Sequence, residues 1–209
     1  MRSPLDERAK GPRILCAGGA VQDFVMQVVR FPDPGTKAQA SQFVTTIGGE
    51  AGNAAVAIAR LGGIARYAGP LGCENDEIAS RAVSSLKAEG VDCRGALRIA
   101  GATSSASLIM IDAAGEKLIS TLRGRGLDGV APPDAASLVA STDAVLLDNR
   151  YPDFALPVGR AALARGIPRV LDFDRAMRLD DPLLEVSSYV IASADALRES
   201  IGVADPEAG

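Results

Sequence analysis

From residue 64 onward the chain alternates short apolar runs with longer amphipathic ones, and that alternation leaves few folds open. Residues 64–68, 143–147, 169–173 and 189–192 are short and mostly apolar, as strands buried on both faces read. Between and after them, 76–89, 154–165, 183–186 and 194–201 read as helices. In the first of these, Ile78, Ala79, Ala82, Val83 and Leu86 share one face. Alternation of this kind predicts an α/β class: a parallel sheet with helices packed on it. Residues 14–17, ending in Gly18-Gly19, read as its first strand after a charged tail over 1–12. The rest, 13–209, is expected to form one partial α/β domain.

Two segments stand outside the alternation. Residues 24–29 and 42–47 are strand-like and separated by a Pro/Gly turn, and 105–111 and 117–122 flank Asp112-Ala113-Ala114-Gly115-Glu116. They predict a small second sheet within 20–47 and 103–123.

Gly48-Gly49-Glu50-Ala51-Gly52-Asn53-Ala54-Ala55 joins the first of these segments to the alternating part. Its glycines let backbone approach a ligand closely. Asn53 is a favoured N-cap, so a helix is expected over 54–61, ended by Gly62-Gly63. Free N–H groups and the positive end of a helix dipole collect at such a start, which suits hydroxyl oxygens or an anion. A tight turn before a core helix would read the same way.

Ligands of open α/β sheets lie beyond the carboxyl ends of the strands. Here those ends are polar: Asp23 soon after the first strand, Asp148-Asn149-Arg150 after 143–147, and Asp172 with Asp174-Arg175 at the end of 169–173. Gly124-Arg125-Gly126-Leu127-Asp128-Gly129 matches a dinucleotide fingerprint, but Pro132-Pro133 follows where that motif must open a helix. This disfavours a nicotinamide oxidoreductase, and no G-K-[ST] segment supports a P-loop.

Composition narrows the chemistry. The 209 residues contain no His, which removes His-based triads and most zinc sites. A net charge of -4 and only five Phe, three Tyr and no Trp argue against nucleic-acid binding. Cys16, Cys73 and Cys93 are odd in number and lack metal-ligand spacing, which fits reduced thiols. No apolar run reaches the ~18 residues of a membrane span, so a cytoplasmic location is expected.

Gly48-Gly49, Asn53, Ala55, Gly62 and Gly72 have the spacing of the first signature of the ribokinase-like (PfkB) carbohydrate kinases, which this chain resembles over most of its length. Gly18-Gly19-Ala20-Val21-Gln22-Asp23 resembles the family's first strand and sugar-gripping Asp. The resemblance implies a three-layer αβα fold with a small β-sheet lid, and transfer of a phosphoryl group from Mg-ATP to a sugar hydroxyl. It also implies a homodimer joined through the lid. Asp23, Gly48, Gly49 and Asn53 are the implied hydroxyl-binding set, with Asp174 beside them. Lys37 and Arg150 suggest an anionic group on the sugar, as in the sulfofructose kinase branch; equally, Lys37 is a solvated lid residue and Arg150 pairs with Asp148 or Asp153. Thr121 stands where that branch carries Asn. The family's second signature, a G-A-G-D stretch supplying anion hole and base, does not occur in these residues. The expectation is therefore a carbohydrate kinase truncated at its C-terminal side and inactive by itself, the alternative being a non-catalytic sugar-binding or regulatory protein.

Overall fold

The computed structural model describes residues 11–202; the expected tail lies largely outside them, as do the last seven residues. Along the chain come β1 (Arg13–Ala17), β2 (Val21–Val28), β3 (Ala40–Gly48), α1 (Glu50–Arg60), β4 (Ile64–Leu71), α2 (Glu77–Ala88), β5 (Asp92–Arg98), β6 (Ala106–Ile111) and β7 (Lys117–Leu122). There follow α3 (Ala135–Val139), β8 (Ala144–Asp148), α4 (Pro152–Ala164), β9 (Arg169–Phe173), α5 (Pro182–Val186), β10 (Tyr189–Ala192) and α6 (Ala194–Ile201).

Six strands form one sheet in the order β10-β9-β8-β1-β4-β5, and every pairing in it is parallel. Successive side chains of a strand point to opposite faces, and β1 shows the result. Leu15 and Ala17 enter a core with Phe154 and Val158 of α4, while Cys16 enters another with Ala55 of α1 and Leu86 of α2. The helices thus cover both faces and make three layers. Burial pushes the thiols of Cys16 and Cys93 up to about 12 and about 11, so they act as small apolar fillers.

The second sheet has the order β3-β2-β6-β7. Its register aligns Asp23 with Thr46 on one side and Ser107 on the other, and Ser107 with Thr121. These four side chains form a polar row across one face. Val25, Val44, Ile109 and Ile119 form the next row on that face.

The glycine-rich turn departs from expectation in one respect. α1 starts at Glu50 with Gly49 as its cap residue, four positions before Ala54, and Asn53 is already helical, its N–H donating to the Gly49 carbonyl at 2.8 Å. Two features move the start. Gly49 takes φ 82°, which turns β3 directly into the helix, and a Cβ there would lie 2.7 Å from the Gly19 carbonyl oxygen. The capping acceptor comes from far away in sequence: the Asp148 carboxylate takes the Ala51 N–H at 3.2 Å.

β5 and α3 are further elements that the apolar pattern did not announce. β5 is an edge strand interrupted by Gly95, where a Cβ would come within 2.7 Å of the Ala68 Cβ. The five-residue α3 is started by Asp134, which accepts from the Ser137 N–H at 2.9 Å. Gly124 to Gly129 opens no helix, in keeping with Pro132-Pro133.

Candidate functional site

The small sheet stands over the carboxyl ends of β1, β8 and β9 and encloses with them a cleft of about 380 Å³. Asp23, Ser107 and Thr121 line it from the lid, Gly49 and Glu50 from the start of α1, and Arg150 and Asp174 from the strand ends. Gly49, Glu50 and Asp174 also border an adjoining depression, which contains Asn53 and Asp172.

Asp23 is half-buried in the lid wall. Burial raises its carboxyl above the ordinary range, and the neighbouring Ser107 hydroxyl acts in the opposite direction. Gly48 makes the placement possible, because a Cβ there would lie 2.1 Å from Asp23 Oδ2. A carboxylate so placed offers acceptor oxygens to hydroxyl groups, and an ionised acceptor makes the stronger bonds. Ser107 and Thr121 share a hydroxyl–hydroxyl hydrogen bond of 3.1 Å beside it.

Below the cleft, Asp148 is fully buried at the end of β8. Its Oδ2 accepts from Gly19 N at 2.7 Å and Ala51 N at 3.2 Å, and its Oδ1 accepts from Arg150 N at 3.0 Å. One carboxyl therefore ties the loop after β1, the start of α1 and the loop after β8. Gly18 must be glycine for this, since its Cβ would fall 2.1 Å from the carboxyl group. Burial, with Glu50 nearby, pushes Asp148 up to about 7, while its N–H donors pull the other way. Tyr67, also fully buried, donates its hydroxyl to the Gly18 carbonyl at 3.0 Å and fixes the same loop.

Arg150 is 9% exposed. Its stem runs past Gly19, where a Cβ would lie 3.0 Å from Arg150 Cγ. Neither Asp148 nor Asp153 pairs with its guanidinium: Asp148 receives the Arg150 backbone N–H, and Asp153 receives the Gly129 N–H.

The structure thus brings Asp23, Gly49, Arg150 and Asp174 to one cleft, sets Gly48 behind Asp23, and places Asn53 in the adjoining depression. Lys37 is not among them. It is exposed in the loop between β2 and β3, in a separate depression with Phe31 and Thr36. Glu50, Ser107 and Arg175 also line the cleft. Arg175 stood with Asp174 among the polar strand ends of the sequence, whereas Ser107 had no role in that reading. Among the described residues no three His, Cys, Asp or Glu side chains stand together to hold a metal ion.

Residues 12–203 match the model of the pfkB family of carbohydrate kinases. An ATP-dependent ribose-1-phosphate kinase of Halopiger xanaduensis is 27% identical over 171 residues, 81% of this chain and 56% of its own length. Among solved structures, a candidate ribokinase from Agrobacterium tumefaciens superposes with a TM-score of 0.87 at 31% identity, over 95% of this chain and 64% of that one. The ribokinase of Arabidopsis thaliana, solved with ribose and ATP, superposes at 0.74 with 22% identity, over 92% of this chain and 63% of that one. The chain spans a little over half the length of the first of these relatives. With a family match over nearly its full length and the same three-layer fold and lid, the chain belongs to the pfkB family of carbohydrate kinases.

Proposed function

We propose that this chain supplies the sugar-binding half of a cytoplasmic kinase that transfers a phosphoryl group from ATP to a sugar hydroxyl. The half-buried Asp23 carboxylate in the cleft between lid and α1 carries the reading. Its two oxygens accept from neighbouring hydroxyls of the sugar, and Gly49 lets the ring approach the backbone. The lid limits water at the reacting hydroxyl by covering the bound ring. Kinases of this kind use Mg2+ with ATP to neutralise the transferred group. ATP use is supported by the names of the Halopiger relative and the Arabidopsis neighbour.

The lid also favours pairing with a second copy. Phe43, Leu118 and Leu122 lie at its two edge strands, 57%, 50% and 72% exposed, and unpaired strand edges carrying apolar side chains tend to associate.

The test is ADP release by the complete gene product across a set of pentoses, hexoses and their derivatives, repeated with Asp23→Asn. Sugar-dependent release that falls by at least about 10²-fold in the variant is expected, as for a lost transition-state contact to a charged group. Undiminished turnover in Asp23→Asn would remove the reading.

A further inference from the structure

We propose that Asp148 and Asn149 are positioning residues of the sugar cleft: adjacent at the end of β8, they lock together the two walls that the main sheet contributes to it. Neither side chain lines the cleft itself. The inference rests on the sugar-kinase reading and concerns what holds that site in shape.

β8 runs between β1 and β9 in the main sheet, so its end lies within reach of the loops on both sides. Asp148 reaches one way. Its oxygens accept from Gly19 N after β1, from Ala51 N in the first turn of α1 and from Arg150 N in its own loop. Asn149 reaches the other way. Its Nδ2 donates to the Arg175 carbonyl at 2.6 Å and lies 3.7 Å from Met177 Sδ, so the amide is spent on the loop after β9. That loop is tied in turn to α6, where Ser200 Oγ accepts from the Met177 N–H at 3.1 Å. Gly49, Glu50, Arg150, Asp174 and Arg175 are the cleft residues that come from outside the lid. Each lies within two positions of a backbone group that one of these two side chains holds.

Stability by itself does not account for this choice of residues. A carboxyl taken out of water is costly even when hydrogen-bonded, and burial with Glu50 nearby pushes Asp148 up to about 7. An apolar side chain would avoid that cost but would hold none of the three N–H groups. What the carboxyl provides is reach: Gly19 and Ala51 lie 129 and 97 residues away in sequence, and one group fixes both. A site that presents a sugar hydroxyl to a phosphoryl group needs such fixing, because a misplacement of ~1 Å can cost ~10²-fold in rate.

The test is ADP release by the complete gene product, with the sugar concentration varied, for Asn149→Asp and Asn149→Ala. Both remove the donor to Arg175; the first keeps the shape of the side chain and the second adds no charge. Asn149 is half-buried, so both variants are expected to fold. The sugar KM is expected to rise by ~10-fold in each, with a smaller fall in kcat. A residue needed only for folding would lower the amount of active protein, and with it the apparent kcat, without moving the sugar KM. Asn149→Gln, which keeps the amide on a longer stem, should recover part of the affinity. Asp148→Asn should raise the sugar KM as well, since its NH2 group must face one of the N–H donors. A sugar KM unchanged in both donor-free variants of Asn149 overturns the proposal and leaves the kinase reading intact. Absence of sugar-dependent ADP release from the unaltered protein overturns both.

Discussion

The Asp148 carboxyl gives this protein an unusual dependence of stability on pH. In the unfolded chain it titrates near 3.8; in the folded protein burial pushes it up to about 7. Between those values the folded state holds a proton that the unfolded state has released, so stability falls as pH rises. The stabilising contribution is complete below 3.8 and is lost as pH climbs through 7. For a single carboxyl with this shift the loss from pH 5 to pH 7 is about 2 kcal/mol, or ~4–8 °C in Tm for a domain of this size. The chain has no histidine to obscure that window. Asp23 and Asp172, also raised by burial, act with the same sign, whereas Asp92 and Asp143, held low by Arg94 and Arg13, act at more acid pH and in the opposite sense.

The Asp148→Asn variant isolates the effect. Its amide cannot titrate, so the fall in Tm between pH 5 and pH 7 should shrink by most of that amount. At pH 5 the variant should be less stable than the parent by about 1–3 kcal/mol, because its NH2 group faces an N–H donor that Asp148 Oδ1 or Oδ2 now satisfies. Thermal unfolding followed by circular dichroism at matched ionic strength measures both. A parent Tm that is flat or rises across the window, or a variant with the parent's slope, would refute the reasoning.

Other consequences are open to simpler assays. Phe154 is fully buried between α4 and the sheet, and Phe154→Ala should cost ~3–5 kcal/mol in urea unfolding; a loss below about 1 kcal/mol would mean that this face is loosely packed. Gly48→Ala puts a methyl group 2.1 Å from Asp23 Oδ2, so the carboxylate must move, and sugar turnover should drop by about 10²-fold; an unchanged KM and kcat would show that the Asp23 position is not critical. Phe43, stacked on Phe24 at 6.4 Å, is exposed on the lid edge strand. Phe43→Glu should convert a dimer to monomer in sedimentation velocity, and a dimer that survives the change would place the interface elsewhere.

Much of the architecture was legible because buried parallel strands and amphipathic helices leave strong periodic marks. The spans 169–173, 189–192 and 194–201 coincide with β9, β10 and α6. What escaped was decided by distant residues. Asn53 has the chemistry of an N-cap, yet α1 is capped from Asp148, 97 residues from Ala51, and no local pattern carries that information. Polar strand ends pointed to Asp23, Arg150 and Asp174, which do share a cleft. They pointed equally to Asp148, whose oxygens turned out to hold backbone together beneath it. Lys37 and Arg150 were indistinguishable as basic residues near a predicted pocket. The path of the loop between β2 and β3 separates them. The roles of Ser107 and Thr121 follow from strand register, which sequence fixes only once pairing partners are known.

The most direct measurement is a crystal structure of the complete gene product with a bound sugar substrate and a non-hydrolysable ATP analogue. The account predicts the sugar between the lid and the start of α1, with hydroxyl oxygens within hydrogen-bond reach of both Asp23 carboxylate oxygens. A sugar bound elsewhere, or one in this cleft that leaves Asp23 untouched, would contradict it.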